Sequence, residues 1–222
     1  MKRRRLPLLL PCLLVLPLIA SSSGGWAVIT VEDLPGHLTT GQPVDLAFTI
    51  RQHGTSPLND LRPVVTARSG DRDTRAAASR AGRPGRYTAR LAVPNDGEWR
   101  VTIDSDFGDS HVTLLPIRAS AAHNGNGNGA APKASPWERG RQLFVAKGCL
   151  TCHVHRDIER AGVVPVGPDL SERRFAADYL AMFLADPSIR PATGDLRMPD
   201  LDLDAAEIAA LVAFINAERP RR

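Results

Sequence analysis

The stretch "VDLAFTIRQ", Val44 to Gln52, places Val44, Leu46, Phe48 and Ile50 on one parity and Asp45, Thr49 and Arg51 on the other. A strand turns successive side chains to opposite faces, so this period of two marks a half-buried β-strand. The same alternation recurs in "RYTARLAV", with Tyr87, Ala89, Leu91 and Val93 inward, and in "EWRVTID", with Trp99, Val101 and Ile103 inward. Turn chemistry in "DLPG", "HGTSP", "GRPG" and "PNDG" separates these runs. Six or seven short strands between Trp26 and Ile117 predict an antiparallel, immunoglobulin-like β-sandwich over residues 26–118.

Upstream, Lys2, Arg3, Arg4 and Arg5 precede the apolar run "LPLLLPCLLVLPLIA" and the small residues "SSSGG". That order is a secretory signal, assigned to residues 1–25. A membrane span needs roughly 20 apolar residues, and three prolines interrupt this run. The formal charge of +4 equals those four basic residues, so the remainder is balanced. A basic pI here carries no argument for nucleic acid. Cys12 lies in mid-run and leaves with a cleaved signal, so the exported chain keeps Cys149 and Cys152 alone. A secreted disulfide framework needs more pairs than that.

Downstream, "ASAAHNGNGNGAAPKASP", residues 119–136, has almost nothing to bury and reads as a flexible linker. From Ser135 the pattern turns helical over residues 137–218. "SPWE" offers Ser135 as N-cap, Pro136 at the first helical position and Glu138 to close a capping box. Asp204 and Glu207 repeat the device before the stripe Ile208, Leu211, Val212 and Ile215. A third helix, "AADYLAMFLADP", is stopped before Pro187. The fold class expected is therefore two-domain: a β-sandwich, a flexible linker and an all-α C-terminal domain. So small a helical domain needs a staple.

"KGCLTCHVH", Lys147 to His155, is the candidate staple. A C-x-x-C pair has three readings. Structural zinc needs four ligands, and no second Cys or His pair stands at suitable spacing. A thioredoxin-type redox pair expects a βαβ context, which is missing here. With His153 attached to Cys152, the motif is the attachment signal for one covalent haem c. The thiols of Cys149 and Cys152 would bond the ring, and His153 would ligate the iron. The second axial ligand is expected from Met198, in the loop "GDLRMPDLD", rather than from Met182 in "YLAMFL", where a methionine is expected to fill core. A thioether opposite an imidazole raises the potential and suits electron transfer.

At "GRQLFVAKGCLTCH", "GPDL" and "RMPDLDLDAAEIAALVAFI" the chain resembles the class I cytochrome c family, over about Trp137 to Ala217. The resemblance implies an all-α cytochrome c fold. It implies that Gly140 and Phe144 pack against Phe214, that the Pro168 carbonyl accepts from the proximal imidazole, and that Leu170 packs on the ring. Tyr179 is then a candidate for a haem propionate or for the core. The first region, through "GQPVDLAFTIRQHGTSPL" and "GRYTARLAVPNDGEW", resembles the exported YtkA-like or FixH-like β-sandwich domains. A copper role is not expected there: His37, His53 and His111 are scattered and read as surface residues.

These readings lead to an exported single-electron carrier, periplasmic or on the outer face of the cytoplasmic membrane, and anchored there if the signal is retained. Its partners are redox proteins, a membrane respiratory complex among them, with no nucleic acid and no small-molecule substrate. No catalytic residue is assigned. The alternatives are a haem sensor or enzyme subunit in which Met198 leaves the iron, and a docking or metal-delivery role for the sandwich.

Overall fold

Ten strands and four short helices make up the described residues of a computed structural model, namely 25–122, 134–159, 164–190 and 197–217. The expected signal segment, but for Gly25, and the Asn-Gly run of the expected linker lie outside them. The strands are β1 (Ala27–Val31), β2 (Leu38–Thr39), β3 (Val44–Gln52), β4 (Ser56–Pro57), β5 (Val64–Ser69), β6 (Arg72–Arg80), β7 (Arg86–Leu91), β8 (Gly97–Asp104), β9 (His111–Thr113) and β10 (Ile117–Ser120). The helices are α1 (Pro136–Ala146), α2 (Cys149–Cys152), α3 (Ala177–Ala185) and α4 (Ala205–Ile215).

The β-rich fold expected from the alternation is present, but not as two facing sheets. The strands join in one curled path, β1-β3-β7-β6-β5-β8-β10-β2, with β4 on β3 and β9 on β8. The cause lies in β6. Its residues Arg72–Ala77 pair with β5, and Ala78–Arg80 pair with β7, so it ties together what a sandwich would keep as separate sheets. Inside the curl lie Phe48, Tyr87, Trp99 and Ile103, all fully buried. The buried polar atoms of the two large rings are satisfied. Tyr87 Oη donates to the Leu58 carbonyl at 2.8 Å and Trp99 Nε1 to the Asn95 carbonyl at 2.9 Å.

Both expected capping boxes are formed. The Glu138 N–H donates to Ser135 Oγ at 3.2 Å, and the Glu207 N–H to Asp204 Oδ1 at 2.7 Å. Gly140 brings α1 against α4: a Cβ there would collide with the Ala210 carbonyl oxygen and lie 2.6 Å from Phe214 Cβ. Phe144 meets Phe214 edge-on at 5.5 Å between ring centroids.

The expected two-domain architecture, with an all-α domain free of the sheet, is corrected by the way these helices dock. All five residues of β1 are buried. Ala27, Ile29 and Val31 belong to the core cluster, whereas Val28 lies against Gly148 and Thr30 Oγ1 donates to the Lys147 carbonyl at 3.4 Å. Lys147, itself buried, donates from Nζ to the Glu32 carbonyl at 2.8 Å and pairs with Glu207 Oε1 at 2.6 Å. Arg139 donates to the Leu34 carbonyl at 3.0 Å. One cluster of buried apolar residues runs from Phe48 and Trp99 under the sheet to Phe144, Leu211 and Phe214 between the helices. The architecture is thus a mostly β, curled sheet with short helices packed on its first strand, and among the described residues no all-α domain stands apart.

Candidate functional site

α2 starts from Gly148, whose φ of 80° is a left-handed conformation that favours glycine. The same residue permits close approach to the sheet, because a Cβ would lie 2.5 Å from Val28 Cγ1 and 2.8 Å from the Ile29 carbonyl oxygen. The C-x-x-C turn is therefore seated directly on β1. Cys149 is buried and Cys152 half-buried, and both are free thiols. Burial pushes Cys149 up to about 12 and Cys152 up to about 11, with the neighbouring Cys152 adding to the effect on Cys149.

After α2 the chain returns alongside itself. The Gly167 N–H donates to the Cys152 carbonyl at 2.9 Å, and the Leu170 N–H to the Val154 carbonyl at 2.9 Å. Gly167 leaves room for His153, since a Cβ would lie 2.5 Å from the imidazole Cε1. His153 Nδ1 stands 2.9 Å from the Pro168 carbonyl oxygen. A carbonyl can only accept, so Nδ1 carries the proton and Nε2 keeps its lone pair. Burial lowers the His153 pKa, while the hydrogen bond to Pro168 opposes that shift.

These residues open onto a cavity of about 880 Å³, at the upper end of the range usual for small-molecule and cofactor sites. It brings together every site residue expected from the sequence: Cys149, Cys152, His153, Pro168, Leu170 and Met198. Phe144, Leu180, Leu184 and Leu211 supply apolar wall, and Tyr179 joins them, stacked on Phe183 at 6.4 Å. Met182 is 57% exposed and not among the lining residues, which corrects the expectation that it fills core.

Sequence reasoning missed one wall of this cavity. Trp26, Val28 and His53 line it from the sheet. Trp26 and His53 have ring centroids 5.3 Å apart, and the His53 N–H donates to the Trp26 carbonyl at 3.1 Å. The available signal was "WAVITV", apolar at every position but Thr30, where a half-buried strand would alternate; near-continuous apolar runs mark strands covered on both faces.

The donor set fits a haem. It offers two unpaired thiols at C-x-x-C spacing, an imidazole of fixed tautomer and a thioether on one largely apolar cavity. It does not fit a bare ion: among the described residues no group of three or more His, Cys, Asp or Glu could hold a metal. No helix among them is long and apolar enough to cross a membrane.

No family model and no curated protein matches the chain. Among solved structures it is similar to domains 4 and 5 of the S-layer protein SbsC, 20% identical with a TM-score of 0.32, over 42% of this chain and 51% of that one. It is also similar to the ZirS C-terminal domain, 11% identical with a TM-score of 0.30, over 54% and 86% of the two chains. A beta-glucosidase from Listeria innocua is 15% identical with a TM-score of 0.30, over 44% and 16%. The match thus spans about half of the SbsC fragment's length, and likenesses this low carry no functional argument. The resemblances to class I cytochrome c and to the YtkA-like or FixH-like domains are corrected accordingly. The chain is mostly β with four short helices among the described residues, and no family model matches it.

Proposed function

We propose that this is an exported carrier of single electrons that binds one haem covalently through Cys149 and Cys152, with His153 and Met198 as the residues that would ligate its iron. The observation that supports this reading best is the convergence of four groups on one cavity: the two free thiols, the His153 imidazole and the Met198 thioether. When bound, the haem supplies a ferric/ferrous couple.

The chain's own residues do the rest. Cys149 and Cys152, both free thiols on the cavity, would hold the group through thioether bonds, each S–H adding across a vinyl group with no net redox change. The Pro168 carbonyl holds Nδ1–H of His153, which fixes the ring plane and leaves Nε2 as the donor. Phe144, Leu170, Leu180 and Leu211 line the cavity and would keep water from a bound haem, an environment that would favour its less charged ferrous state. The reading is a carrier rather than an enzyme, with redox proteins as partners. Export rests on the N-terminal signal pattern.

A denaturing gel of the exported protein stained for haem peroxidase activity tests the proposal. The band should keep its colour in the wild type and lose it in the Cys149→Ala, Cys152→Ala double variant. A colourless wild-type band would refute covalent attachment.

A further inference from the structure

The segment that carries Met198 is fastened to the sheet at both ends. On one side Pro199 lies against the turn between β3 and β4. A Cβ built on Gly54 would stand 3.1 Å from Pro199 Cγ, and Gly54 is buried with φ of 78°. His53, with φ of 53°, shapes the same turn and lies tilted against Trp26, with ring centroids 5.3 Å apart. On the other side Asp202 Oδ2 pairs with Arg83 Nη1 at 2.9 Å and Arg51 Nη2 at 3.8 Å. Arg83 is in turn held by Glu32, 3.2 Å away, and Glu32 by Arg86 at 2.8 Å. Between the anchors Leu201 is 6% exposed and belongs to the core. Asp202 itself has φ of 54°, a left-handed conformation that aspartate enters more readily than most residues, and its N–H donates to Asp200 Oδ1 at 3.0 Å.

We infer that the sheet is the positioning element for Met198. The Gly54 turn and the Arg51–Arg83–Asp202 cluster hold residues 198–202 so that the thioether stays on the cavity. This inference rests on the haem reading for what Met198 does there, but the anchoring itself belongs to the polypeptide. A single exposed ion pair would add little. Here the two pairs share Asp202, are tied through Arg83 to Glu32, and adjoin a buried leucine, so they act as one clamp.

The test compares the full-length haem-loaded protein with Asp202→Asn and with the Arg51→Ala, Arg83→Ala pair. Asparagine tolerates a left-handed backbone, so the first variant removes only charge. Four readouts are taken: haem content by mass, the weak red-edge absorption band of a thioether–ferric bond, the reduction potential, and amide hydrogen exchange over residues 200–203. The inference expects unchanged haem content, a diminished band, a lowered reduction potential and faster exchange over 200–203 than in β3 or β7. Arg83→Lys should restore the band in part where Arg83→Ala does not. Unchanged exchange would overturn the anchoring. Faster exchange with an intact band would overturn the positioning of Met198. Wild-type protein lacking haem would overturn the haem reading and the role assigned to Met198, while the exchange data would still report on the clamp alone.

Discussion

Cys149 and Cys152 are poor nucleophiles in the folded chain, because the thiolate is the reactive form and burial suppresses it. In haem-free protein, alkylation should be slow at neutral pH and faster at Cys152 than at Cys149. It should accelerate as pH climbs toward about 11 and then about 12. Rapid labelling of both at neutral pH would contradict their burial. Because the folded-state values lie above the ordinary 9.0, the folded state retains these protons longer than the unfolded chain. Their contribution to stability is complete below pH 9.0 and lost as pH rises through the folded values. Met182→Ala should change stability by about 0.5 kcal/mol or less, as surface substitutions do, measured by urea denaturation. At this scale the sequence was legible wherever chemistry sits at fixed spacing, as in the C-x-x-C-H motif. It was not legible for His53, whose place on the cavity depends on a turn and a docked loop far away along the chain.

Helix α1 meets α4 through Gly140, and the helices meet β1 through Lys147 and Gly148. Gly140→Ala should cost about 1–3 kcal/mol or more by overpacking, since the colliding atom is backbone and cannot swing aside. Lys147→Ala should cost about 3–5 kcal/mol, because it leaves Glu207, 12% exposed, without its partner. Chemical denaturation with far-UV circular dichroism reads both. The helices were legible from their capping boxes and from the Pro187 stop, signals local to a few residues. The parity of β3 was legible only in half. Leu46, Phe48 and Ile50 are buried as the alternation implies, but Ala47 and Thr49 are buried too. Period two assumes one face in water, whereas β1 and β3 here lie within a layered region. The double pairing of β6 leaves no mark in composition, since its exposed, polar pattern suits an edge as well as a bridge.

For the molecule as a whole, sheet and helices share one apolar cluster, so they should unfold together. Near-UV signal from Trp99 in the sheet and from Trp137 by α4 should melt at one temperature; two separated transitions would contradict the shared core. Acid should loosen the junction. Burial alone would raise Glu32, but hydrogen bonds from Arg86 and Arg83 outweigh it and hold the carboxylate below its ordinary 4.5. Its stabilisation is therefore present above pH 4.5 and lost as pH falls through the lower folded value. The boundary expected between a sandwich and a helical unit came from the change of period near Ser135. A change of period marks a change of element, and it says nothing of whether the new elements pack on the old ones.

The intact mass of the exported protein tests the central claim most directly. The account predicts one species heavier than the processed polypeptide by one haem, with no thiol left to alkylate after denaturation. A mass equal to the bare polypeptide, with Cys149 and Cys152 both free to react, would contradict it.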